Sequence, residues 1–360
     1  TAAVPSARLI SARYAITATG NSTAGYFAGG FDPSPFSMVE KVTYSTDTTA
    51  AVPGADLSSA RYNSSAASAR ANAFPAVDPP TATPTPSISP NPQLSSTPNT
   101  GYFGGGAITA RVDRLIYSND TTTYTPSADL SVARGWLAAT GNSTHGYFGG
   151  GYPSMMSTMD KTSYSTDTTA AVPGAFLTAN RFYIGATGNV DAGYFVGGQE
   201  PSSDNVATTD KVTYSTDTTA AVPGANLSAA RKYVAATGNP THGYLGGGGF
   251  VSTMEKITYS TDTTAVVPGA KLSQERYYHG ATGNSTHGYF GGGGPTSPGL
   301  TVDKTTYSTD TTAVLPSSAN LSDNRTYVTA TGNADAGYIA GGWSPGSVST
   351  VDKVTYSSDT

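Results

Sequence analysis

Charged side chains recur in this sequence at fixed spacings, so the first question is what chemistry they could do together. Arg13, Arg61, Arg134, Arg181, Arg231, Arg276 and Arg325 each follow an "LSxA"-type lead. A ring of seven guanidinium groups could clamp anions bidentately. An acidic–basic pair recurs at Glu40-Lys41, Asp113-Arg114, Asp160-Lys161, Asp210-Lys211, Glu255-Lys256, Asp303-Lys304 and Asp352-Lys353. Neighbours on a strand point to opposite faces, so no such pair is a salt bridge within its own strand. These positions hold 14 of the 19 Lys and Arg residues, which leaves few charges for a one-off catalytic cluster. The expectation is structural: each Arg bonds backbone carbonyls or a carboxylate of the next repeat.

The other chemically suggestive residues read the same way. His145, His242 and His287 share one repeat position, and His279 stands apart. Metal ligands must converge on one ion, whereas equivalent positions of different repeats diverge, so no metal site and no cofactor is expected. Glycine runs such as Gly104 to Gly106 and Gly291 to Gly294 lack the following Lys-Ser/Thr of a phosphate loop. Asn-x-Ser/Thr sequons place candidate glycosylation at Asn21, Asn142 and Asn284, all in a turn where exposure is expected.

Behind these residues stands an internal repeat. A Gly-Tyr pair opens a glycine-rich stretch at Tyr26, Tyr102, Tyr147, Tyr194, Tyr244, Tyr289 and Tyr338, and a "TYSTDT"-type Tyr recurs at Tyr44, Tyr117, Tyr164, Tyr214, Tyr259, Tyr307 and Tyr356. Each marker counts seven. The distance from Arg to the Gly of Gly-Tyr is 12 residues in six copies, while the interval between the two Tyr markers runs from 15 to 20. One loop is therefore free to vary and the rest is fixed by pairing. Each unit reads as four strands: a after the Arg ("WLAAT", 136–140), b ("GYFGGG", 146–151), c ("MDKTSYS", 159–165) and d ("AAVP", 170–173). Four strands in about 47 residues is the signature of a propeller blade. The chain begins "TAAVP" and stops at "TYSSDT"; joined, these restore the internal "YSTDTTAAVP". The expected fold is thus an all-β, seven-bladed β-propeller of four-stranded antiparallel blades, one domain over 1–360, its ring closed by the N-terminal strand pairing with the C-terminal blade.

This pattern resembles the kelch repeat, which has an Arg before strand a, an aromatic and double Gly on strand b, and an acidic residue and Tyr on strand c. "AR", "GYFGGG" and "STMDKTSY" occupy those places here, while Val172 stands where the family has a strand-d Trp. Blades of this Gly/Thr/Tyr-rich style resemble those of phage virion and microbial surface proteins. The "STDTTAAV" turn also shares Ser and Asp with the Asp-box of sialidases, but lacks its Gly and Trp, and no arginine trio or Tyr–Glu pair can be assigned. No enzyme is expected.

Composition narrows the partners. Only 12% of residues are charged and the net charge is −5, which argues against a nucleic-acid groove. No apolar run is long enough to span a membrane. There is no cysteine, hence no disulfide framework. Two segments escape the repeat. A Pro/Thr-rich insertion at 63–99 offers Phe74 and Ile88 as anchors of an assembly arm, and its composition suits an extended, polyproline-like chain. The b–c loops carry Phe31, Phe36, Tyr152, Phe250 and Trp343 on the face opposite that arm, where aromatics could meet sugars or protein. The resulting expectation is a non-enzymatic, extracellular structural or adhesion propeller of an appendage, fibre or virion, self-assembling or contacting surface glycans; the alternative is a stand-alone lectin-like propeller.

Overall fold

The computed structural model describes residues 2–68, 100–106, 109–153, 156–294 and 299–360. Each repeat forms one four-stranded antiparallel sheet, and seven such sheets make the ring. The third blade shows the pattern: strands Ala138–Gly141, His145–Gly149, Met159–Ser163 and Thr168–Ala171, in positions a to d. Its register sets Thr140 opposite Tyr147, Tyr147 opposite Lys161 and Lys161 opposite Ala170. Strand b is buried almost throughout because neighbouring blades cover both its faces, whereas strand d alternates between exposed and half-buried. In the second blade, Ser65–Ser68 is strand a and Thr100–Gly104 is strand b. The insertion therefore begins after Ser68 and not at 63, because the ladder needs those residues. Phe74 and Ile88 lie outside the described residues.

The apolar core is divided into seven wedges, each between two blades. Between the second and third, Ala67, Tyr102 and Val112 meet Leu130, Leu137 and Phe148. Strands a stand innermost and line an axial cavity of about 240 Å³ with Ala, Thr and Gly side chains. The double glycine after strand b is imposed by close approach. Gly150 and Gly151 have φ of +69° and +122°. A Cβ on Gly150 would lie 2.5 Å from the Arg181 carbonyl oxygen of the next blade, which accepts the Gly151 N–H at 3.0 Å.

Blades are joined by one repeated clamp. The Tyr147 hydroxyl donates to Asp217 Oδ1 of the next blade at 2.6 Å, and Lys161 Nζ donates to both Asp217 oxygens at 2.9 and 2.7 Å. Asp217 sits in the tight turn between strands c and d at φ +53°, a left-handed conformation that Asp tolerates. Tyr147 also stacks on Tyr214, centroids 4.8 Å apart. The clamp occurs at all seven junctions, and the last one joins Tyr338 and Lys353 to Asp47 of the first blade. Ala2–Ala3 pairs antiparallel with Val351–Thr355, Ala2 opposite Lys353, consistent with closure by the N-terminal strand.

A second junction bond joins the Tyr after strand c to a strand-a Thr of the preceding blade, as in Tyr214 to Thr140 at 2.9 Å. Six blades supply that Thr. The second has Ala67 there, and the Tyr164 hydroxyl is buried with no partner among the described residues. Ala67→Thr should therefore stabilise the protein by about 1 kcal/mol, the net worth of one restored hydrogen bond. Urea unfolding of the variant beside the parent measures this.

Candidate functional site

The charged repeat residues are used up inside the ring. Arg134 pairs with Asp160 at 2.6 Å and donates to the Phe148 carbonyl at 3.1 Å, both side chains fully buried. The same pair forms in every blade, from Arg13–Glu40 to Arg325–Asp352. The expected carbonyl bond is present, but the carboxylate belongs to the same blade and not to the next. The Arg opens strand a and the acid opens strand c, so both start from the same sheet rim region only two strands apart. The Lys of the acidic–basic pair, Arg114 in the second blade, is the one that crosses to the neighbour.

His145, His242 and His287 lie at the a–b turns of separate blades, each Nδ1 2.8 Å from the adjacent Thr hydroxyl. Burial pulls all three below the usual imidazole range. They do not converge, and among the described residues no group of three His, Asp or Glu is placed to hold a metal. Asn142 and Asn284 sit half-buried, their Oδ1 atoms accepting the N–H of Thr144 and Thr286. Asn21 does the same for Thr23 but is buried, contrary to the exposure expected for a sequon turn.

The opposite face differs sharply in chemistry. Two residues after each Arg stand Ala15, Asn63, Trp136, Tyr183, Tyr233, Tyr278 and Tyr327, all left-handed, with φ between +51° and +60°. A backbone belt fixes several of them around the axis: Asn63 N–H to Ala15 O (3.1 Å), Trp136 to Asn63 (3.0 Å), Tyr183 to Trp136 (3.2 Å) and Tyr233 to Tyr183 (3.1 Å). The five aromatic members form an arc. Ring centroids run 5.8 Å from Trp136 to Tyr183, then 4.3, 4.0 and 3.8 Å through Tyr233 and Tyr278 to Tyr327. Ala15 and Asn63 leave the arc open on one side, and the basin between holds about 200 Å³.

The loop aromatics singled out from sequence join this arc from outside. Phe31 and Trp343 pack on Tyr14, which packs on Tyr327. Tyr152 packs on Trp136, and Phe250 reaches Tyr278 through Tyr277. Phe250 and Trp343 remain 53% and 43% exposed, so the surface is presented to solvent. Phe36 is the exception: it is half-buried with the Arg13 guanidinium 5.7 Å from its ring and belongs to the blade's own packing.

Burial, with the neighbouring phenols of Tyr183 and Tyr278, pushes Tyr233 far above the ordinary phenol range; burial likewise raises Tyr183 and Tyr278. They stay neutral and serve as donors and acceptors. Lys232 is the cation here, 5.5 and 5.3 Å from the rings of Tyr183 and Tyr233, with its ammonium donating to Gln199 Oε1 at 3.0 Å. Such a basin suits a ligand with apolar ring faces and polar edges. The inner arc was missed from sequence because it adjoins the invariant Arg and looked like part of the repeat. Its signal was there: at a fixed distance from Arg the residue type changes from Ala to Asn to Trp to Tyr.

No protein-family model and no curated protein matches the sequence. Among solved structures, that of YjhT is similar at TM-score 0.56 and 12% identity, covering 71% of this chain and 91% of that one. At this identity the likeness shows the propeller fold alone. No helix among the described residues is long and apolar enough to cross a membrane.

Beneath the arc, His279 occupies a buried position that other blades fill with Leu137, Val234 or Val328. Burial, reinforced by Arg276, pulls its pKa down to about 3. The folded state thus refuses a proton that the unfolded chain accepts near pH 6.5, so the contribution is complete above 6.5 and lost as pH falls toward 3. His279→Val should be more stable at neutral pH, and its advantage should widen by roughly 1.5 kcal/mol between pH 6.5 and 5. Urea midpoints at the two pH values check the sign and size.

Proposed function

We propose that this chain is a non-enzymatic recognition propeller, a structural or adhesion module of an extracellular appendage, fibre or virion, which makes its contacts through the aromatic face. One observation carries the reading. All seven positions of the inner ring are left-handed, Ala15 included, so that backbone geometry belongs to the architecture. Gly or Asn would meet it at least cost, and a bulky aromatic there is a true outlier costing on the order of 1–3 kcal/mol. The chain nevertheless places one Trp and four Tyr at five of the seven positions. Residues chosen against local backbone preference mark a surface kept for contact.

The non-catalytic part of the reading is supported by the fate of the acid–base groups, which are spent pairing within and between blades. Low charge, no cysteine and abundant Ser and Thr suit an extracellular setting. The kelch-like reading is supported by the Arg, which meets the strand-c acid in every blade, and by the double glycine closing strand b. A stand-alone, lectin-like propeller is the second reading, favoured by the mixture of ring faces and hydroxyls in a basin of about 200 Å³.

The test replaces the arc with the residue the second blade already tolerates. Tyr233→Asn/Tyr278→Asn should leave stability within about 1 kcal/mol, since relieved strain offsets lost ring contacts. Binding to a glycan array, or self-association by light scattering, should fall at least tenfold. Unchanged binding in both assays by a correctly folded variant would sink the proposal.

A further inference from the structure

We infer that the aromatic basin seats the proline-rich segment of a second copy of this chain, so that copies stack head to tail. The inference rests on the aromatic face being the contact surface, and it names the occupant. Segment 69–99 has 31 residues and contains 8 of the chain's 23 prolines, with Pro79-Pro80, Pro84, Pro86, Pro90 and Pro92 in its middle. Proline-rich chain is read elsewhere by Tyr- and Trp-lined grooves, because its rings lie flat on aromatic faces and little conformational freedom remains to be lost. The arc supplies such a groove: Trp136, Tyr183, Tyr233 and Tyr278 as one wall, with Ala15 and Asn63 opposite. The segment carries Arg70 and Asp78 and so has no net charge; Asp78 is its one carboxylate, and Lys232 on the basin's flank, which donates to an amide with no carboxylate against it among the described residues, offers it a cation.

Direction decides between the chain's own basin and a neighbour's. Strand a runs from the aromatic face to the opposite one. Ser68 ends it there, adjoining Gly101, so both ends of the segment emerge on the far face, close to the axis. Thirty-one residues anchored at both ends reach out roughly 45 Å at about 3.1 Å per residue. The route to the chain's own basin passes outward over four strands about 4.8 Å apart, down the outer edge and back, roughly 60 Å or more. A coaxial second copy turns its basin directly toward the segment. The two surfaces differ, so the contact is heterologous and leaves one basin and one segment free at the ends of every stack, which is the condition for open growth.

Three proteins test this: the full chain, a variant in which 69–99 is replaced by the Gly-Asn-Ser-Thr turn of other blades, and the full-length Tyr233→Asn/Tyr278→Asn variant. In sedimentation and electron micrographs the full chain should form concentration-dependent linear stacks, and each variant should be monomeric. Mixed together, the two variants should pair one to one and stop, since only one has a working basin and only the other a segment. A synthetic 75–98 peptide should shift the emission of the segment-less variant saturably, both tryptophans lying on this face, and bind at least tenfold more weakly once Tyr233→Asn/Tyr278→Asn is added. Stacking by the segment-less variant, failure of the mixture to pair, or a full chain monomeric at all concentrations would overturn the inference. Glycan binding lost in the Tyr233→Asn/Tyr278→Asn variant, with no peptide binding, would overturn it while leaving the aromatic face as the contact surface.

Discussion

The aspartate of each c–d turn is the interaction on which the ring depends. It is held left-handed by its turn, takes a hydroxyl and a cation from the preceding blade (an ammonium in six, the Arg114 guanidinium at Asp167), and so fixes how far one sheet is rotated from the next. Lys211 and Asp262 remain 25% and 33% exposed, so the ion pair alone is worth little, about 0–1 kcal/mol. Its value is geometric. The Tyr194 hydroxyl is bonded to the same carboxylate at 2.5 Å, and the ring behind it stacks on Tyr259. One residue thus ties the polar rim to the apolar wedge. Seven equal junctions must add to a full circle, and the seventh, at Asp47, joins parts of the chain some 300 residues apart.

The buried Arg–carboxylate pair has the opposite energetic character. Arg61 and Asp113 are both fully buried, 2.6 Å apart. Replacing such a pair outright by well-packed apolar groups is often neutral, but removing one member strands a charge at about 3–5 kcal/mol. It therefore specifies which residue opens strand a more than it stabilises the blade. From there the chain has a fixed path: Arg, a left-handed turn two residues on, and entry to the axis. The aromatic basin exists because that turn delivers seven side chains to one end of the axis.

Most of the fold was legible because repetition multiplies weak signals. A single "TYSTDT" says only turn, but seven at fixed distance from Arg and Gly-Tyr say blade, and the terminal "TAAVP" says where the last blade takes its outer strand. What could not be read were partners across space. The Arg carboxylate was expected in the next blade, since spacing gives distance along the chain and not which strand lies beside which. Asn21 was expected exposed because its turn type is, yet it is buried. For the candidate site, Phe31, Tyr152, Phe250 and Trp343 were singled out by the variability of their loops, and they pack beside the arc. Tyr183, Tyr233 and Tyr278 were not, because they sit in the regular part of the repeat.

Strand direction explains why the two faces differ so much. Connections a–b and c–d share one face and, apart from segment 69–99 in the second blade, are tight turns, so their residues are chosen for turn chemistry: Asn239 accepting from Thr241 and His242, or Thr261 bonding Thr263. Those hydroxyls and amides are already engaged, and outside that one segment the face presents little that varies from blade to blade. Connections b–c and d–a share the other face and are long enough to differ. Variation is affordable there because the Gly pair and the Arg fix each loop's ends from outside the loop itself. A closed ring of near-identical blades would have no distinguishing surface; this one acquires it where sevenfold regularity is broken, with aromatic rings in five blades, Ala15 and Asn63 in the other two, and one lysine beside them. The asymmetry gives the basin an open side and so a direction of entry, which a perfect rosette would lack.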